Sequence, residues 1–146
     1  MELRLAHRHE ADAIRVLLRE NALPTDDLDA ARIGFMVAVD DRGLLGVGGI
    51  EAFGDAGLLR SLAVRSDQRG NGLGARLVGA LEAQARMEGL AQLALLTTTA
   101  APFFAARGYR EIARVAMPDA LQASAEFRSL CPASATCMLK SLVLSQ

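Results

Sequence analysis

The sequence predicts a mixed α/β (α+β) domain: one mostly antiparallel central sheet of six to seven strands, flanked by about four helices. Three observations carry that reading. Through the first half, short apolar or alternating runs follow one another with turn residues between them, as in an antiparallel meander. Around residues 10–19 and 73–85 the apolar residues recur at helical spacing instead. A further strand follows the second of these helices, and a strand–helix–strand unit places two strands parallel. The predicted order is β-α-βββ-α-β-α-β-β.

Each element has its own justification. Leu3-Arg4-Leu5 alternates and opens a strand. Ile14, Leu17 and Leu18 recur at helical spacing between Glu10, Asp12, Arg15 and Arg19, which makes an amphipathic helix. Residues 21–29 carry Pro24 and several cap-type or acidic residues, and read as a loop. Residues 35–39 form a short apolar strand, ended by the turn Asp40-Asp41-Arg42-Gly43. Residues 44–53 form the next strand, and Gly46, Gly48 and Gly49 inside it imply a bulge or a close backbone approach. Gly54-Asp55-Ala56-Gly57 turns the chain into a third meander strand at 58–64.

A glycine-spaced loop follows, and then Leu73, Leu77, Val78, Leu81 and Ala85 mark a helix of about four turns that ends near Gly89. Residues 90–99 read as a strand. Residues 101–107, with Pro102 near the start and Gly108 after the end, read as a short helix. Residues 109–115 read as a sixth strand, 118–127 as helical or irregular, and 137–144 as the last strand.

The chain has 146 residues, which suits one domain spanning 1–146. Half of them are apolar (51%) and 23% are charged, as in an ordinary globular protein. The net charge of −1 and the lack of a long basic run argue against nucleic acid or an anionic membrane as the main partner. Met1-Glu2-Leu3-Arg4-Leu5 has no signal-peptide character, and no stretch of about 18 apolar residues occurs. A cytoplasmic location is expected. Cys131 and Cys137 are too few for a disulfide framework, and no metal is expected. Monomer and homodimer both stay open.

The loop after the third meander strand holds the clearest chemistry. It runs Gln68-Arg69-Gly70-Asn71-Gly72-Leu73-Gly74-Ala75 into the helix. The first amides of a helix lack intrahelical partners and sit at the positive end of its dipole, so such an end suits an anion. Glycines let a phosphate approach the amides, and Arg69 and Arg76 add positive charge. Ala75 is admissible in a G-x-G-x-x-G/A dinucleotide fingerprint, but the loop follows a meander rather than opening βαβ repeats. It is not a G-x-x-x-x-G-K-[ST] loop either. On spacing alone, a tight turn that merely caps a core helix stays open.

Residues 64–74 resemble the coenzyme A loop of GNAT-superfamily N-acetyltransferases, whose pattern [QR]-x-x-G-x-[GA] is matched by Arg69-x-x-Gly72-x-Gly74 after Leu62-Ala63-Val64. The family's second hallmark, a helix followed by Gly-[FY], is matched by Ala101-Pro102-Phe103-Phe104-Ala105-Ala106-Arg107-Gly108-Tyr109. The element order fits as well. The resemblance implies that the strand at 58–64 splays from the strand at 90–99 and that acetyl-CoA lies in the V between them. Backbone groups of Leu62, Ala63 and Val64 would meet the pantetheine arm, and the Leu62 amide would hold the thioester oxygen. Amides from Arg69 to Ala75 would grip the pyrophosphate, with Phe103, Phe104 and Arg107 along the cofactor arm.

The family's usual tyrosine acid, four residues before the helix-ending glycine, is Phe104 here and has no hydroxyl. Glu51, on the neighbouring strand, is the candidate base; pairing with Arg60 is its competing explanation. Arg60, Ser61 and Arg128 are candidates for an acceptor carboxylate, and Thr97 and Thr98 end the parallel strand, where ligands of such sheets gather; strand propensity explains the threonines nearly as well. Tyr109 reads as core.

The stretch from Glu126 to Leu142, together with Leu59-Arg60-Ser61-Leu62 and Leu96-Thr97-Thr98-Thr99, resembles acetyltransferases encoded with arsenic-resistance genes (the ArsN type). It is more distantly similar to amino-acid N-acetyltransferases of arginine biosynthesis. Both resemblances imply a small amino-acid-like amine as acceptor. Cys131 and Cys137 raise trivalent arsenic binding, against the plainer reading of two small apolar residues. A non-catalytic acyl-CoA-binding regulatory module and a protein or peptide N-acetyltransferase are the alternatives.

Overall fold

A computed structural model of the chain describes residues 1–29 and 31–143. Its elements are β1 (Glu2–Leu5), α1 (Ala11–Glu20), β2 (Ile33–Asp40), β3 (Gly43–Phe53), β4 (Ala56–Val64), α2 (Leu73–Met87), β5 (Gln92–Thr97), α3 (Ala101–Ala105), β6 (Arg110–Ile112) and β7 (Thr136–Ser141). The sheet has seven strands in the order β1-β2-β3-β4-β5-β7-β6. Each neighbouring pair is antiparallel except β4–β5, the pair joined through α2. The mixed, mostly antiparallel sheet expected from the sequence is therefore present.

The two main helices bury the stripes that predicted them. Ile14, Leu17 and Leu18 of α1 pack with Val37, Val47 and Ala63. Leu73, Leu77, Val78, Leu81 and Ala85 of α2 pack with Ala38, Leu45 and Leu59. Val37 and Ala38 are adjacent on a strand and point to opposite faces, so the two helices cover opposite sides of the sheet. Burying one such aliphatic side chain contributes about 1.5–3 kcal/mol. The glycines of β3 permit close approach of α2: a Cβ at Gly46 would lie 2.9 Å from Leu77 Cδ1, and one at Gly48 2.6 Å from Leu81 Cδ1. Helix α2 stops in a Schellman turn, where the Leu90 amide donates to the Ala85 carbonyl and the Gly89 amide to that of Arg86.

The C-terminal third adds a strand order that the sequence reading did not give, and its sixth strand is shorter than the expected 109–115. β7 inserts between β5 and β6 and pairs with both. β6 is three residues long, because the chain then leaves the edge so that Met117 and Leu121 can bury against Leu58, Ala94 and Cys137. Residues 118–127 are irregular, with a 3₁₀ turn at Asp119–Ala123 followed by a single π-helical turn at Glu126–Leu130. The expected end of the last strand, Leu144, lies outside the described residues. Tyr109 is a core residue, as the sequence suggested. Its hydroxyl donates to Glu82 at 2.8 Å, Glu82 also accepts from Lys140, and Lys140 donates to the Arg107 carbonyl at the end of α3. Among the described residues no helix is long and apolar enough to cross a membrane.

Candidate functional site

The parallel pairing of β4 with β5 stops almost as soon as it begins. It covers Ala56 with Gln92, Gly57 with Leu93 and Leu58 with Ala94. Beyond that point β5 stays paired with β7 as far as Thr97, and β4 stays with β3 as far as Val64. The two strands thus diverge, and a cleft of about 460 Å³ opens between Leu59–Leu62 and Leu95–Thr99, with Phe103 and Phe104 on one wall. The edge of β4 is left as a template for another extended chain.

A bulge in β4 follows just beyond the point of divergence. Val47 pairs with Ala63 but Gly49 pairs with Arg60, so Gly48 alone faces both Ser61 and Leu62. Ser61 sits at φ +56°, which is uncommon for a residue other than glycine. A bulge adds local twist and reverses the side-chain alternation that follows it. Leu58 and Arg60 share one face, and after the bulge Ala63 takes that face against α1. Leu62 and Val64 turn to the α2 side. Strict alternation would have put Arg60, Leu62 and Val64 together, and nothing in the sequence marks the reversal.

The glycine loop leaves its backbone open at the start of α2. Gly70 and Gly72 have φ of +83° and +78°, a region that favours glycine. A Cβ at either would meet no protein atom within 4 Å, so the space above their backbones is open. Gly72 caps α2, no side chain caps its first amides, and no acidic residue lies in its first turn. Those amides remain available to an anion. Arg69 donates to Asn21 at the end of α1, which ties this loop to the neighbouring helix. Arg76 is exposed in the first turn of α2. On the other side, a Cβ at Gly74 would lie 3.4 Å from the Phe103 ring, and Arg107 stacks 3.8 Å above that ring. Phe104 is buried edge-on between Phe103 and Tyr109 and carries no proton to give.

Arg60 is not poised as a free cation. Its side chain has no exposed surface. Its N–H groups donate to Asp27 Oδ1 and Oδ2 at 2.7 and 2.5 Å, to Glu51 Oε1 at 3.1 Å and to Ser61 Oγ at 3.2 Å. A guanidinium has five N–H donors, so four of them are taken. A third carboxylate, Glu126, lies 3.7 Å from Nε. Burial opposes the charge of Arg60, yet Asp27, Glu126 and Glu51 outweigh it and hold its pKa above the ordinary arginine value. The same hydrogen bonds hold Asp27 below the usual carboxylate range. Glu126 behaves in the opposite way: burial pushes its carboxyl up to about 7, although Arg60 pulls it down.

Among the residues chosen from sequence, Arg60, Ser61, Leu62, Thr97, Thr98, Phe103 and Phe104 line the cleft, while Glu51 and Arg128 are not among its lining residues. Glu51 lies behind Arg60, in the pairing that the sequence reading had set against a role as base. Arg128 is exposed. Thr97 Oγ1 accepts the Ala100 amide and so caps the turn into α3. Cys131 borders the cleft, but burial and the neighbouring Glu126 raise its thiol to about 11; Cys137 is buried in the core. Neither cysteine is prepared as a thiolate. Among the described residues no cluster of His, Cys, Asp and Glu is placed to hold a metal ion. The sequence reading missed Glu126 and Asp27. Neither lies near Arg60 in the sequence, and only the fold brings them to it.

Comparison with known proteins agrees with this geometry. The family model described as "Acetyltransferase (GNAT) domain" matches residues 31–111. An amino-acid acetyltransferase of Ectopseudomonas mendocina (strain ymp) is 42% identical over 66 residues, which are 45% of this chain and 15% of that protein. N-acetylglutamate synthase from Neisseria gonorrhoeae, solved with coenzyme A and N-acetyl-glutamate, superimposes with a TM-score of 0.83 at 22% identity over 98% of this chain and 35% of that one. The ribosomal-protein-S18-alanine N-acetyltransferase from Escherichia coli superimposes with a TM-score of 0.74 at 17% identity, over 99% and 96% of the two chains. The chain thus spans about a third of the synthase and less than a sixth of the curated relative.

Proposed function

Because this chain belongs to the GNAT acetyltransferase domain family, we propose that it moves an acetyl group from acetyl-CoA to the amino group of a small amino acid or amino-acid analogue. The observation that carries the proposal is the cleft. A free β4 edge, an uncapped helix start behind two left-handed glycines, and a half-open pocket of about 460 Å³ adjoin one another. An extended arm with a diphosphate at one end and a thioester at the other fits that sequence of features.

In this reading the backbone of Leu62, Ala63 and Val64 holds the arm as an added strand. The Leu62 amide faces the thioester oxygen and stabilises the charge that grows there in the transition state. Gln68 to Ala75 hold the diphosphate, and Phe103 and Arg107 flank the arm. Ser61, Thr97 and Thr98 are the acceptor contacts. Arg60 keeps its carboxylates in place rather than binding an acceptor carboxylate directly, since four of its five donors are already used and its side chain is fully buried. The similarity to amino-acid acetyltransferases supports the acceptor class. A link to arsenic resistance rests on the sequence resemblance of the stretch 126–142 together with those at 59–64 and 96–100.

The test is release of free thiol from acetyl-CoA with a panel of α-amino acids and analogues, with the product checked by mass. Turnover with at least one amino acid is expected. No turnover with any amine, but tight acetyl-CoA binding, would support the reading that Phe104 favours, a non-catalytic acyl-CoA-binding module. Turnover with peptides alone would move the acceptor class to protein N-termini.

A further inference from the structure

We propose that Glu126 is the residue that takes the proton from the acceptor's ammonium group, with Asp27, Glu51 and Arg60 positioning it. The inference rests on the acetyl-transfer reading above and names a residue for that reaction.

Three carboxylates converge on one guanidinium, and their roles differ. Asp27 is bound bidentately by Arg60 and Glu51 by one hydrogen bond of 3.1 Å. Glu126 is left without a comparable partner. Its Oε2 lies 3.7 Å from Arg60 Nε, beyond hydrogen-bond range, and its Oε1 faces only the Cys131 thiol at 3.8 Å. Glu126 also lines the cleft, whereas Glu51 does not. It is 6% exposed, so the carboxyl is buried yet adjoins the space where an acceptor would sit. The π-helical turn Glu126–Leu130 presents it there, and such turns recur at functional sites.

The surroundings suit a proton acceptor. The carboxyl is raised to about 7: burial is the largest cause and Asp27 and Glu51 add to it, against the opposing pull of Arg60 and the Cys131 thiol. A base poised near neutrality is the useful kind at neutral pH. Three carboxylates against one guanidinium also leave an excess of negative charge, which draws in an ammonium.

The step balances as follows. Ionised Glu126 accepts one proton from the acceptor's ammonium. The freed amine nitrogen forms a C–N bond to the thioester carbonyl carbon while the C–S bond breaks. The bonding pair leaves on sulfur, and the second amine proton ends there as free thiol. Glu126 then returns its proton to water, so each turnover releases one proton.

The test is thiol release by the full chain with acetyl-CoA and its best amino acid from pH 6 to 9.5. The expected parent profile has an acid limb near pH 7. Glu126→Gln should lose that limb and fall about 100-fold or more in kcat/KM at pH 7. The deficit should shrink at pH 9.5, where much of the amine is already neutral, while acetyl-CoA affinity stays unchanged. Glu126→Asp, which keeps a carboxylate, should retain the limb with a smaller loss. A Glu126→Gln loss under threefold at pH 7, or an equal loss at both pH values, would overturn the proposal while leaving acetyl transfer intact. Should Glu126→Gln fail to fold, absence of the limb from the parent and Glu126→Asp has the same force. No turnover by the parent with any amine would overturn both readings.

Discussion

Arg60→Met is expected to lose about 3–5 kcal/mol of folding stability at pH 7.5, the usual cost of removing one partner from a buried ionic cluster. For a chain of this size that is on the order of 10 °C in Tm. The reason is visible in the cluster. Asp27, Glu51 and Glu126 come from three separate segments and are all buried, and Arg60 is the cation among them. Without it, two or three carboxylates must either stay buried and uncompensated or take up protons.

The pH dependence has a defined sign. In the parent, Arg60 lowers the pKa of Asp27 below its unfolded value. That contribution is complete above the unfolded pKa and is lost as pH falls through the folded one. In Arg60→Met the same carboxyl is buried without its cation, so its folded pKa should rise above the unfolded value. The variant should then gain stability as pH falls from 8 to 5, and its deficit against the parent should narrow. Adding Asp27→Asn should recover part of the loss. Thermal melts across pH measure all of this. A deficit below 1 kcal/mol that does not change with pH would mean that water, not Arg60, solvates the cluster.

The second large effect is expected at Gly72. Gly72→Ala should weaken acetyl-CoA binding by about 10- to 100-fold, or about 1.4–2.7 kcal/mol. Its own stability should fall by only about 1–2 kcal/mol, the strain of a left-handed alanine. The new Cβ meets no protein atom within 4 Å, so its steric effect falls on whatever occupies the space above the loop. Gly72→Asn separates the two effects, because asparagine tolerates the left-handed region. It should melt near the parent and still bind acetyl-CoA poorly. Calorimetric titration of the three proteins provides the comparison. Unchanged affinity in Gly72→Asn would remove the phosphate role from this loop.

What was legible in the sequence is what local spacing encodes. The α2 stripe, the glycine loop before it and the Gly89 stop lie within about 20 consecutive residues, and each has a direct signature. The glycines of β3 announced the close approach of α2. The rest depends on segments far apart in the chain. β7 slips between β5 and β6, and nothing in residues 136–141 specifies that position. The bulge at Ser61 exists because β3 and β4 pair out of step, so the reversal that aims Leu62 and Val64 toward α2 is a property of two strands. Pairing of Arg60 with Glu51, nine residues away, was foreseen, but Asp27 and Glu126 lie 33 and 66 residues from Arg60 and were not. Glu126 went unnoticed for the same reason: it gains its setting only when the tail folds back over β4.

Amide hydrogen exchange with and without acetyl-CoA tests most directly whether the diverging edge of β4 is where the donor lies. Slower exchange is expected at the β4 amides from Leu59 to Val64 and in the loop from Gly70 to Ala75, with little change along β1 and β2. Slowing confined to a separate cavity beside α1, about 380 Å³ and lined by Ile14, Leu28 and Phe35, or no slowing under saturating acetyl-CoA, would contradict the assignment.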